Sequence, residues 1–175
     1  MHLQENKQVL RQSDLFRDLN EIHLDLVLMV CEEINYVKGD YLFRENDPGD
    51  AVYIIAQGEV EIVLEPKKPG ETQIAVATLG ENSTFGEVIL VQEENRTASA
   101  RCKTNASLIR LSRKRLLKLC QDYPEIGFHI MYRIAAELAR KLGSSNVNIR
   151  EQLFVKEEQE EEQEESDLSP DQETS

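Results

Sequence analysis

The chain has 175 residues, 40% of them hydrophobic, enough for one domain of ordinary size with a sizeable core. Its formal charge of −13 is unevenly placed: after Lys156 come ten acids and no base, which leaves −3 for the rest. The folded part therefore needs no basic face, which argues against unassisted nucleic-acid binding. The longest apolar run, Leu24 to Cys31, is broken by Asp25 and too short to cross a bilayer, so no membrane span is expected.

Met1 to Gln12 is polar, a lead of frayed helix or extended chain with no signal-peptide pattern. Ser13-Asp14 is placed to cap the next element, with Leu15, Phe16 and Leu19 as its apolar face. The apolar set Leu24, Leu26, Val27, Leu28, Val30 and Cys31 predicts a buried helix from about Glu21 to Glu33. From Ile34 the chain reads as short strands separated by turns: Ile34–Val37, Tyr41–Phe43, Ala51–Ala56, Val60–Leu64 and a strand around Ile74 to Thr78. Asn46-Asp47-Pro48-Gly49-Asp50 is a strong turn, and Gln57-Gly58 predicts a hairpin. Thr97–Lys103 and Ser107–Leu111 are expected to pair across Thr104-Asn105. This density of short strands predicts a mainly β fold, an antiparallel roll or jelly-roll barrel with flanking helices.

One segment interrupts the strands. Phe85-Gly86-Glu87 opens a short apolar turn of helix, Val88 to Val91. A helix N-terminus favours negative charge, and glycine permits close approach to the backbone. Arg96 follows beside Thr97 and Ser99, and a guanidinium can bond two phosphate oxygens at once. Glu87 is a carboxylate suited to sugar hydroxyls. The set fits a small sugar phosphate; it also fits an ordinary helix cap with a surface arginine.

After Ser112 the chain becomes helical, over Arg113–Cys120 and again from Pro124, with Ser112 as a cap and proline at a helix start. Ala139, Leu142, Asn146, Ile149 and Leu153 step alternately by three and four residues, a heptad-like seam with one polar member. That seam suits a homodimer through the C-terminal helix, or packing of the same face on the barrel. The Glu/Gln-rich stretch from Lys156 is expected to be a disordered acidic tail, 156–175. The domain proper is then 13–155, after a lead of 1–12. The three histidines are scattered, and Cys31, Cys102 and Cys120 form no metal-ligand pair. No enzyme is expected, nor a metal or cofactor. Reduced thiols suit the cytoplasm.

The segment GEVILVQEENRTASARCKT resembles the phosphate-binding cassette of cyclic nucleotide-binding domains, with Gly86, Glu87, Leu90, Arg96, Ala98 and Ser99 at matching positions. The turn glycines and the order of helix, strands, cassette, strands and two helices fit that family from about Asp14 to Leu142. The resemblance implies a module that binds cAMP or cGMP. It implies that Glu87 holds the ribose 2′-hydroxyl and Arg96 the cyclic phosphate, aided by the backbone N–H groups of Val88 and Ile89. Thr97 would reach the phosphate or the base edge, and Ile62 and Val76 would form an apolar wall. Ser145 and Asn146 fall near the position that caps the base. Ile89 stands where the family usually has Ala or Gly; its branched side chain either crowds the phosphate or points into the core. Neither a catalytic segment nor a DNA-binding helix-turn-helix pattern accompanies the cassette, so the output is expected to pass to a partner protein or through self-association. The other expectation is a degenerate barrel that binds no nucleotide and serves as a dimerisation or docking module.

Overall fold

The structure, a computed structural model, describes residues 3–143 except 69, 93, 94 and 141. It divides into two units, Met1–Ile134 and Ala135–Ser175. The first opens with helix α1 (Leu3–Gln12), followed by α2 (Glu21–Leu28). Leu10 of α1 is fully buried, and Lys7 pairs with Glu21 and Asp25 of α2. Ser13 ends α1 rather than opening a new helix: its Oγ donates to the Leu10 carbonyl at 2.7 Å, and residues 14–18 are turns. The cap of α2 is Asn20, whose side chain accepts from the His23 N–H at 2.9 Å.

Eight strands follow: β1 (Cys31–Tyr36), β2 (Tyr41–Phe43), β3 (Ala51–Gln57), β4 (Val60–Leu64), β5 (Ile74–Leu79), β6 (Thr84–Phe85), β7 (Ser99–Cys102) and β8 (Ala106–Ser112). A 3-10 turn, Glu87–Leu90, lies between β6 and β7. Helix α3 (Arg113–Asp122) comes next, then a helix over 124–140. The second unit is described only within that last helix, where Arg140 forks onto Glu137 at 2.6 and 2.9 Å.

The strands form two antiparallel four-stranded sheets, β1-β8-β3-β6 and β2-β7-β4-β5, which is the expected roll. Two expected pairings are corrected. The chain crosses from one sheet to the other at Gln57-Gly58, so β3 and β4 form no hairpin; β7 and β8 likewise belong to different sheets. The two crossings pack on each other. The Lys103 N–H donates to the Glu59 carbonyl at 2.9 Å, and the Glu59 N–H donates to Thr104 Oγ1 at 2.9 Å. A Cβ at Gly58 would stand 2.4 Å from the Asn105 carbonyl oxygen, so only glycine fits this approach.

The predicted helix 21–33 also ends early. Residues Cys31 to Tyr36 pair with Leu111 to Ala106 along β8, and this ladder takes the residues that an apolar helical pattern had claimed. Between the sheets lie Tyr53, Ile55, Val60, Phe85, Ala100, Cys102 and Leu108. Strand β3 is buried from Ala51 to Ile55, on both of its faces, because α1 covers part of the face turned away from the other sheet. Ile109 is fully buried in β8, which pairs on both sides with β1 and β3. Ile109→Ala is expected to cost about 2–5 kcal/mol in urea unfolding. Leu64→Ala, on an exposed residue, is expected to stay within about 0.5 kcal/mol.

Candidate functional site

The site is built where the first sheet hands the chain to the second. Strand β6 pairs with β3, setting Phe85 opposite Tyr53, and the 3-10 turn follows at once. Gly86 precedes that turn with φ +75° and ψ 14°, a left-handed conformation that favours glycine. Its backbone also lies against Arg96: a Cβ there would come 2.6 Å from Arg96 Nη1. Gly86 and Arg96, ten residues apart in sequence, are thus in contact.

Arg96 is 4% exposed. Its Nη2 donates to the Ala51 carbonyl at 2.7 Å and stands 3.6 Å from Asp50 Oδ1. Nη1 is 3.4 Å from the Gly86 carbonyl. The guanidinium carbon lies 4.0 Å from the centre of the Phe43 ring and 5.7 Å from that of Tyr53, a cation over aromatic faces. Burial pulls the Arg96 pKa below its ordinary value, opposed by Tyr53 and Asp50; the group stays charged near neutral pH because arginine starts so high. Its Nε–H is buried with no hydrogen-bond partner among the described residues. A buried charged donor without a partner calls for an explanation, and an anion is one.

The loop between β2 and β3 holds the backbone of Arg96. The Asn46 N–H donates to the Arg96 carbonyl and the Arg96 N–H to the Asp47 carbonyl, both at 2.8 Å. Ser99, fully buried at the head of β7, accepts from the Glu45 N–H at 2.9 Å and donates to Glu65 at 2.5 Å. That hydroxyl, with Gln73 second, holds the Glu65 carboxyl below its usual pKa.

The other expected site residues fall as follows. Glu87 is 7% exposed and Ile89 is 4% exposed, so the branched side chain of Ile89 is packed within the protein. Val88 is half-buried and Thr97 is exposed beside Arg96. Ile62 lies in the middle of the second sheet, opposite Ala100 of β7 and Ala77 of β5, and packs on the inter-sheet core. The register then slips: Val63 is opposite Ala75, so Val76 is the extra residue of a bulge on edge strand β5 and is 52% exposed. Ser145 and Asn146 lie outside the described residues. Sequence reasoning missed Asp50 and Ala51, which it read as turn and strand alone, and the ring of Phe43.

Cysteine chemistry has no support here. Burial lifts the Cys31 thiol to about 12 and raises Cys102 and Cys120 as well, so all three stay protonated. Among the described residues no cluster of His, Cys, Asp or Glu could hold a metal, and no helix is long and apolar enough to cross a membrane.

The sequence pattern of the cyclic nucleotide-binding domain matches residues 33–123, which span the roll, the turn and α3. The chain belongs to the cyclic nucleotide-binding domain family. It is 37% identical to a cGMP-dependent protein kinase of Plasmodium berghei over 93 residues, 53% of this chain and 10% of the kinase. It is 30% identical to the cyclic AMP receptor protein of Thermus thermophilus over 140 residues, 80% of this chain and 62% of the receptor. Among solved structures, the regulatory domain of Toxoplasma gondii PKA, crystallised with cAMP, matches with a TM-score of 0.60 and 28% identity. That match covers 67% of this chain and 44% of the other. This member of the family thus spans a tenth of the kinase and about three fifths of the receptor.

Proposed function

We propose that the chain is a regulatory module that binds cAMP or cGMP and performs no catalysis itself. The observation that carries this reading is Arg96: a buried guanidinium, against the left-handed Gly86, with one N–H that has no partner among the described residues, inside the segment that matches the family. In this reading Arg96 pairs with the cyclic phosphate, and the backbone N–H groups of Val88 and Ile89 assist. Glu87 accepts from the ribose hydroxyl, Thr97 meets the phosphate or base edge, and Ile62 and Val76 wall the sugar and base. Ser145 or Asn146 caps the base.

The signal passes through the last helix to a partner protein or a second copy in the cytoplasm. Ligand can shift that helix only by binding its two positions with different affinity. Self-association is favoured by one further observation. Phe128 and Tyr132 stand 67% and 60% exposed with their rings stacked at 6.2 Å. By sequence spacing they extend the seam of Ala139 and Leu142 backwards, through Ala135, in steps of four and three. Titration calorimetry of the whole chain with cAMP and with cGMP tests the binding reading. Saturable heat with either nucleotide is expected; no heat with both leaves the degenerate barrel as the function.

A further inference from the structure

Arg113 is the first residue of α3, and two of its groups reach the two halves of the site. Its side-chain Nε donates to the Ile89 carbonyl at 2.6 Å, inside the 3-10 turn. Its backbone N–H donates to the Asp50 carbonyl at 2.8 Å. Asp50 and Ala51 are the groups that hold the Arg96 guanidinium, and Ala51 lies opposite Ser112 in the β3–β8 ladder. The turn is too short to fix its own orientation, since a 3-10 segment of four residues closes few internal bonds. A charge-assisted bond onto one of its carbonyls supplies what the turn lacks, at the end where carbonyl dipoles favour a cation.

We infer that Arg113 is a positioning residue for the nucleotide site: it clamps the turn to α3 and registers that turn against the strand that carries the Arg96 anchors. The inference rests on the nucleotide-binding reading above. It also gives α3 a direct polar link to the backbone that the phosphate would contact.

The test uses the full chain with Arg113→Met, Arg113→Lys and, as a control on the same helix, Lys114→Met. Arg113→Met keeps the backbone N–H to Asp50 and removes the guanidinium, with its positive charge and its bond to the Ile89 carbonyl. It is expected to raise the nucleotide Kd about tenfold, the usual effect of one charge-assisted bond. Arg113→Lys should recover part of that loss, and Lys114→Met should show none. A merely structural role would lower the unfolding midpoint without a local signature. Positioning instead predicts faster amide exchange at Val88, Ile89 and Leu90 in the ligand-free Arg113→Met protein, with exchange in β3 and β8 unchanged. If the wild type binds and Arg113→Met binds equally well, this inference falls and the nucleotide reading stands. If the wild type binds neither cAMP nor cGMP, both fall.

Discussion

Arg96→Leu is expected to weaken nucleotide binding at least about 100-fold while the chain still folds. A guanidinium meeting a phosphate through two charge-assisted bonds is worth roughly 3 kcal/mol or more, and each 1.4 kcal/mol is a factor of ten. Leucine is the informative replacement because it keeps apolar volume against Phe43 and Tyr53. The folded state loses something as well. The Ala51 carbonyl loses its 2.7 Å donor inside the protein, at a cost of about 1–3 kcal/mol. Asp50 keeps a partner, because Arg110 Nη2 lies 2.6 Å from its other oxygen. Calorimetry beside urea unfolding separates the two effects. A variant that binds as tightly as the wild type would remove Arg96 from the site.

Gly86→Ala is expected to damage the site from the backbone side. An L-residue at φ +75° costs about 1–2 kcal/mol in itself. The added Cβ would also meet Arg96 Nη1 at 2.6 Å and push the guanidinium from its anchors, so the Kd should rise at least about tenfold. Gly39→Ala separates strain from displacement. Gly39 has φ +93°, and a Cβ there meets nothing within 4 Å. It should therefore lose comparable stability in urea unfolding and keep the wild-type Kd. Equal loss of affinity in both variants would mean that general destabilisation, not contact with Arg96, sets the binding.

Much of this was legible from local pattern. The apolar run gave β4 its full extent, Val60–Leu64, although Val63 is buried and Leu64 exposed where strict alternation put Val60, Ile62 and Leu64 on one face. The proline at 124 marked the start of the last helix. What the pattern missed depends on contacts remote in sequence. Cys31 to Glu33 look helical until β8, some 75 to 80 residues on, offers them a ladder. Gln57-Gly58 looks like a hairpin, yet its glycine is there for the close approach of Asn105. Sheet membership is a property of the whole roll and leaves little trace in a two-residue turn.

The site divides the same way. Gly86 and Arg96 stood out because their segment resembles the family's phosphate-binding cassette; by themselves they fitted a helix cap and a surface arginine equally well. Asp50 did not, because an aspartate after Pro48-Gly49 is the commonest of turn residues. Its second use, as a neighbour of both Arg96 and Arg110, exists only once β3 and β8 have paired. Arg113 was likewise read as an ordinary helix residue, and its side chain finds Ile89 only through the packing of α3 on the turn.

The most direct test of the central claim is the side-chain Nε–H resonance of Arg96 in a nitrogen-15 spectrum, followed as cAMP or cGMP is added. This N–H is buried and has no hydrogen-bond partner among the described residues. Phosphate bound at the guanidinium predicts a saturable shift of that resonance, accompanied by the amides of Val88 and Ile89. A resonance that stays in place while calorimetry reports binding would put the nucleotide elsewhere and contradict the assignment of the site.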